Sequence, residues 1–228
     1  MGGYVKNTML DKVISLVAPH YCCGCGLVGT ILCDNCKYDI ISESYDGCLL
    51  CGKVAMHGKC GSCRADYQLG WCVGERDEAL KQTIDAYKFS RRKAAYTRLA
   101  QLLDEAVPVL PETTIVTAIP TIPKHVRQRG YDHVALVAQE FARLRKLRYD
   151  PMIRRNHMHA QRGANRAERY KQASEAFYVE SAVSSEIPYL LIDDIVTTGA
   201  TIMHASQVLK EAGAATIMAG VLARQPLK

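Results

Sequence analysis

The chain has 228 residues, 48% of them hydrophobic, and a net charge of +6. That is enough apolar material for one full α/β domain with a smaller attachment, and it excludes a chain disordered throughout. No apolar run is long enough to cross a bilayer as a helix, and ten cysteines without an export signal argue against a disulfide-stapled secreted domain, so the cytoplasm is the expected address.

Residues 1–20 are expected to form an N-terminal helix, because residues 9–17 are short, amphipathic and broken by Asp11 and Lys12. Four Cys-x-x-Cys knuckles follow: Cys22/Cys25, Cys33/Cys36, Cys48/Cys51 and Cys60/Cys63. Each presents two thiolates from one tight turn, and two knuckles complete a tetrahedral four-cysteine zinc site. Gly24, Gly26, Asn35, Gly52, Gly61 and Ser62 supply the turn-prone residues. Sequential pairing of the knuckles is the first expectation, and an interleaved pairing is also open. All ligands of such a site are protein thiolates, so the zinc would be structural. Cys23 and Cys72 are left over as buried or incidental thiols, and His20 and His57 read as surface residues beside complete four-cysteine sets. Large apolar residues are scarce here, so metal must do much of the folding in a double zinc ribbon over 21–66. Such ribbons also dock nucleic acids or proteins.

From about Tyr67 the composition becomes that of an α/β protein, expected to span 67–228. Leu80, Ile84 and Tyr87 stand at helical spacing, as do Leu99, Leu102, Leu103 and Ala106. Pro108 and Pro111 end that pattern. Residues 114–119 read as a buried strand stopped by Pro120 and Pro123. Val134, Val137, Phe141 and Leu144 make the next helical stripe, with Arg143, Arg145 and Lys146 opposite. Between residues 121 and 171 there are 13 Lys plus Arg against 4 Asp plus Glu, a local +9 that leaves −3 for the rest. This basic segment suits an anionic partner, whether phosphate, pyrophosphate or nucleic acid.

Residues 189–193 form an apolar strand that runs into Asp193 and Asp194. The uncharged, hydroxyl-rich Val196, Thr197, Thr198, Gly199, Ala200 and Thr201 come next, then a helix to about Ala212 with Gly213 at its cap. A strand, a small loop and a helix N-terminus can hold a phosphate on backbone N–H groups. Carboxylates beside it can grip hydroxyls or a hard cation. A phosphorylated sugar is the ligand class this points to. A last strand over 215–222 completes an alternation of strands and helices, which argues for a parallel sheet flanked by helices. Ligands bind such sheets at the carboxyl ends of the strands, here Asp193-Asp194 and Ile119-Pro120-Thr121, the latter running into Lys124, His125, Arg127 and Arg129.

Residues 190–201 closely resemble the phosphoribosyl pyrophosphate (PRPP) loop of type I phosphoribosyltransferases. With the zinc knuckles, Tyr87-Lys88-Phe89, Ile119-Pro120, Arg127-Gln128-Arg129-Gly130-Tyr131, Gln161, Arg169 and Ala176-Phe177, the order is similar to that of ComF family proteins. The resemblance implies a type I phosphoribosyltransferase-like parallel sheet with an N-terminal four-cysteine zinc ribbon. It implies that Asp193 and Asp194 bind the ribose hydroxyls of PRPP with magnesium, and that Thr197, Thr198, Gly199, Ala200 and Thr201 cradle the 5′-phosphate. Ile119, Pro120 and Thr121 would form the pyrophosphate-side loop. Arg127, Arg129 and Gly130 would belong to a segment covering the site, and Lys88 to a Lys-aromatic motif.

ComF proteins are linked to natural transformation and to incoming single-stranded DNA, so PRPP, single-stranded DNA and competence-machinery proteins are the implied partners. The implied alternative is an active transferase acting on a purine or pyrimidine base in nucleotide salvage. Its chemistry would displace pyrophosphate at the ribose anomeric carbon through an oxocarbenium-like transition state. The sequence departs from the family pattern at Tyr131-Asp132, where Phe-Asn is frequent, and at Ala118, Ala164 and Gln172. Asp132 puts a negative charge beside an anion site, which should weaken anion binding unless His133 or an arginine offsets it.

Overall fold

The computed structural model describes residues 19–43, 45–76, 78–90, 92–156 and 177–226. The expected N-terminal helix, apart from its last two residues, and Gln161, Ala164, Arg169, Gln172 and Ala176 lie outside them.

Five strands form one parallel sheet. They are β1 (Leu69–Glu75), β2 (Ile115–Ala118), β3 (Arg148–Tyr149), β6 (Pro188–Val196) and β7 (Thr216–Arg224), in the order β1-β7-β6-β2-β3. A separate antiparallel pair, β4 (Ile153–Arg155) and β5 (Phe177–Val179), lies outside it. The helices are α1 (Asp34–Ser42), α2 (Glu78–Phe89), α3 (Ala95–Ala106), α4 (Pro123–Arg129), α5 (His133–Arg145) and α6 (Ala200–Glu211). A 3-10 turn spans Met56–Gly58.

The sheet is buried on both faces, which is why its strands are runs of apolar residues. Along β6, Leu190 and Ile192 join one apolar cluster and Tyr189 and Leu191 the other, as the alternation of a strand requires. The first cluster contains Leu80, Ile84 and Tyr87 of α2, Leu99, Leu102 and Leu103 of α3, and Val134, Val137 and Phe141 of α5. These are the stripes that periodicity marks out. The second contains Ile202 and Leu209 of α6 with Ile153 and Phe177 of the small antiparallel pair. Helix α6 ends in a Schellman pattern: the N–H of Gly213 donates to Lys210 O at 2.9 Å and that of Ala214 to Leu209 O at 3.0 Å. Gly213 has φ 111°, so the cap expected from sequence is present.

The cysteine-rich region leans on these cores. Cys22, Ile31, Leu32, Cys33 and Cys36 belong to the α2–α3–α5 cluster, whereas Cys48, Leu49, Leu50 and Tyr67 belong to the α6 cluster. The 3-10 turn lies directly on β1. A methyl group at Gly58, whose φ is +68°, would sit 2.5 Å from the carbonyl oxygen of Gly70. Gly58→Ala should therefore destabilise the chain by on the order of 2 kcal/mol or more, from left-handed strain plus the clash. A lowered urea midpoint at unchanged slope checks this.

Candidate functional site

Strands β2 and β6 lie side by side, with Ala118 paired to Ile192, and the N–H of Ile119 donates to Ile192 O at 2.8 Å. From β2 the chain crosses outward to β3. From β6 it crosses the other way to β7. The carboxyl ends of β2 and β6 thus flank a topological switch point, the place where open α/β sheets bind ligands. Both sequence-marked loops are there: Ile119-Pro120-Thr121 after β2, and Thr197-Thr198-Gly199 after β6.

The second loop opens onto α6. Thr197, Thr198, Ala200 and Thr201 are exposed. Gly199 is the N-cap with φ 76°, and no side chain caps the helix. The first N–H groups of a 12-residue helix are therefore left for an external acceptor.

Strand β6 runs past both aspartates to Val196, further than the sequence pattern indicated. Adjacent strand residues point to opposite faces, and the two carboxylates meet different surroundings. Asp194 reaches towards α2 and α5. Its Oδ2 lies 2.6 Å from Lys88 Nζ and bonds His133 Nε2. Arg129, which can only donate, places Nη1 2.8 Å from His133 Nδ1, so Nδ1 accepts and Nε2 carries the proton donated to Asp194. Burial alone would raise the Asp194 carboxyl, but the His133 bond and the Lys88 charge hold it well below the usual carboxylate range. Two tyrosines brace the group. Tyr87 hydroxyl donates to His133 O at 3.0 Å, and Tyr131 hydroxyl to Tyr87 O at 2.5 Å.

Among the described residues, Asp193 has no such partner. It is 8% exposed, and its Oδ1 accepts the N–H of Asp194 at 2.9 Å. Burial and the neighbouring Asp194 charge push its carboxyl upward, with Lys88 and Arg155 partly opposing. Arg155 is a residue that the sequence reading missed. Its Nε donates to Pro120 O at 3.3 Å and its guanidinium stacks 4.6 Å from the Phe177 ring. It stands between the β2 loop and Asp193, but its only sequence signal was membership of the basic segment.

The other marked residues divide. Arg129 is drawn in: its Nε donates to Lys88 O at 3.1 Å and its guanidinium lies 5.6 Å from the exposed Phe89 ring. Arg127 is exposed on α4 and takes no part in this network. Asp132 does not act as a loose negative charge. Its Oδ1 accepts the N–H groups of Val134 and Ala135 at 3.1 Å each, capping α5, and accepts the Thr121 hydroxyl at 2.9 Å. The helix N-terminus and the Thr121 hydroxyl satisfy this carboxylate where it stands.

The eight knuckle cysteines form two clusters, Cys22/Cys25/Cys33/Cys36 and Cys48/Cys51/Cys60/Cys63, so the pairing is sequential. In each, all four sulfurs lie within 4.8 Å of one another. Cys25 and Cys33 sulfurs are 3.6 Å apart, as are those of Cys51 and Cys60. A zinc tetrahedron with bonds of ~2.3 Å has edges of ~3.8 Å, so these donors fit zinc. The turns are alike: Gly26 N–H donates to Cys22 O at 2.9 Å and Gly52 N–H to Cys48 O at 2.8 Å, with φ 77° and 74°. Burial would raise the Cys22 thiol, yet N–H groups of Cys25, Cys33 and Gly24 bring it down to about 6. Such a thiol is ready to ligate as thiolate.

No protein-family model matches the chain. It is 32% identical over 213 residues to Competence protein F of Haemophilus influenzae, which covers 85% of this chain and 90% of that one. It is 28% identical over 198 residues to Competence protein ComFC of Streptococcus pneumoniae, covering 85% and 87%. The chain belongs to the ComF family. A further relative is the DNA utilization protein YhgH of Escherichia coli O6:H1, 28% identical over 190 residues, covering 78% of this chain and 83% of that one. Among solved structures, the allosteric regulatory enzyme of purine biosynthesis aligns with 61% of this chain and 30% of that chain at 17% identity and a TM-score of 0.45.

In this ComF chain the two aspartates should respond oppositely to neutralisation. Asp194, with a depressed folded pKa, contributes stability above its unfolded value of ~3.9 that is lost as pH falls. Asp194→Asn should cost on the order of 3–5 kcal/mol at neutral pH, a gap that closes in acid. Asp193, with a raised pKa, opposes folding increasingly as pH rises above ~4. Asp193→Asn should therefore raise the melting temperature, most at alkaline pH. Thermal unfolding of both variants between pH 4 and 9 checks the opposite signs.

Proposed function

We propose that this ComF protein binds PRPP with magnesium at the carboxyl edge between β2 and β6, and that it handles single-stranded DNA in a competence pathway in the cytoplasm. The observation that carries the sugar-phosphate reading is the uncapped N-terminus of α6. It presents exposed Thr197, Thr198, Ala200 and Thr201 beside a carboxylate pair at the switch point. A 5′-phosphate would accept the free N–H groups and threonine hydroxyls. The ribose hydroxyls would lie towards Asp193 and Asp194. The pyrophosphate would face Ile119, Pro120 and Thr121, near Arg155 and the Lys88–Arg129 side.

Carboxylate oxygens suit magnesium, which keeps several waters and binds through one or two carboxylates plus phosphates. Asp194 is already paired with Lys88, so Asp193 is the carboxylate better placed for a cation or hydroxyl. When bound, magnesium would neutralise charge on the pyrophosphate. Lys88 and Arg129 would add fixed positive charge on one side and the α6 N-terminus on the other. Each four-cysteine cluster holds a structural zinc in this reading, and metal analysis should return about two zinc ions per chain.

The DNA part is supported by the names of the relatives, competence and DNA utilization proteins, and by the +9 stretch between residues 121 and 171. Calorimetry tests the ligand: PRPP with magnesium should bind saturably, and Asp193→Asn should weaken it about tenfold or more while leaving the fold intact. No heat from folded protein would refute the PRPP site. Single-stranded DNA affinity should fall steeply between 50 and 200 mM salt, as counterion release requires. Absent or salt-insensitive binding would refute the DNA assignment.

A further inference from the structure

The second cysteine cluster and the phosphate loop touch. Leu50 lies between the ligands Cys48 and Cys51 and is 8% exposed. A methyl group at Gly199 would fall 2.2 Å from Leu50 Cδ2 and 3.0 Å from Leu50 Cα. The knuckle backbone therefore packs on the backbone of the loop, and only glycine leaves room for it.

A second connection runs through Arg224, the last residue of β7, which is 2% exposed. Its Nε donates to Leu49 O at 3.2 Å, its Nη2 to Leu50 O at 3.1 Å and its Nη1 to Gln225 O at 3.0 Å. Arg224 is paired in the sheet with Val196, the last residue before the loop, and Gln225 N–H donates to Val196 O at 2.8 Å. Gly52 of the same knuckle approaches it too: a methyl group there would lie 3.2 Å from the guanidinium carbon. A buried guanidinium needs negative charge or many acceptors nearby. Among the described ion pairs, none involves Arg224. Its acceptors include the two carbonyls of a turn whose cysteines are metal donors, and four thiolates around a divalent ion carry net negative charge.

The first cluster is placed otherwise. Its cysteines Cys22, Cys33 and Cys36 pack in the α2–α3–α5 core, on the opposite side of the sheet from α6.

We infer that the Cys48/Cys51/Cys60/Cys63 centre is a working part of the phosphate site, with Leu50 and Arg224 as positioning residues that transmit the metal-held turn to the loop. Metal at this centre keeps Leu50 against Gly199 and Arg224 against Val196, so that the loop backbone and the α6 N-terminus stay in their anion-receiving form. Without metal the Cys48 turn loosens and the loop loses the surface it is packed on. This rests on the reading of the loop as the PRPP site. Because coupling is reciprocal, a ligand in the loop must also tighten metal at the second centre.

The test uses the zinc-loaded full chain and follows zinc transfer to a chromogenic chelator, with and without saturating PRPP and magnesium. Cys25→Ser and Cys51→Ser, each sparing one intact cluster, assign the two release phases. The expected result is that PRPP slows release from the second centre about fivefold or more and leaves the first centre unchanged. Equal slowing of both phases, or of neither, in a protein that binds PRPP by calorimetry would overturn the inference. No PRPP binding by the wild type would instead remove the ligand reading, and the inference with it. A second line uses binding alone. Leu50→Ala should raise the PRPP dissociation constant about fivefold or more, Leu50→Met should restore it, and full zinc content should accompany both. An unchanged constant in Leu50→Ala would also overturn the proposal.

Discussion

The charge buried on Asp194 is the constraint around which the site is arranged. A carboxylate at the end of a strand covered on both faces is strongly unfavourable unless opposite charge and hydrogen bonds reach it. They come from two helices distant in sequence, as Lys88 of α2 and His133 of α5. Each helper is held in turn. Arg129 bonds both the Lys88 carbonyl and the His133 ring, and Tyr87 bonds the His133 carbonyl. The compensation of one charge thus fixes how α2, α4 and α5 close over the carboxyl edge. Apolar packing beneath them sets only that they are helices on that face.

Asp193, one residue earlier, has the opposite fate for a geometric reason. Strand alternation turns it to the other face, and among the described residues the cationic side chains acting on it are Lys88 and Arg155. Two adjacent carboxylates whose surroundings push their proton affinities apart are a recurrent sign of divided roles. Here Asp194 belongs to the framework and Asp193 is held at a cost to stability. A buried, under-compensated carboxyl is the kind of feature found where the needs of a site oppose folding.

Much of this was legible in the sequence because it is periodic or local. The stripes of α2, α3 and α5, the apolar runs of β2, β6 and β7, and the knuckle pairs all announce themselves at short range. Strand β1 did not, because Gly70 and Gly74 dilute its apolar run and its burial comes from β7, roughly 150 residues away along the chain, and from the 3-10 turn. The short strands β3, β4 and β5 carry too few residues for a pattern. At the site, the types Asp, Thr and Lys were readable, but their partners were not. Nothing local says that Asp132 caps α5, that Arg155 reaches Pro120, or that Arg224 bonds a carbonyl 174 positions earlier. Such contacts are set by strand order, which a single sequence does not display.

The division of the cysteine-rich region between the two faces of the sheet has an energetic consequence. With few large apolar residues of their own, the knuckles bury Ile31 and Leu32 on one face and Leu49 and Leu50 on the other. Metal binding to such a region is folding free energy, since the ligands are not preassembled in the unfolded chain. The surfaces that metal would order here belong to cores shared with the sheet rather than to a separate module. The second cluster meets the rest of the chain at Leu50 and Arg224, directly behind the loop that follows β6, and the first lies beneath α2, whose last turn carries Lys88. Each four-cysteine cluster therefore stands behind one of the two sides that meet at the carboxyl edge between β2 and β6.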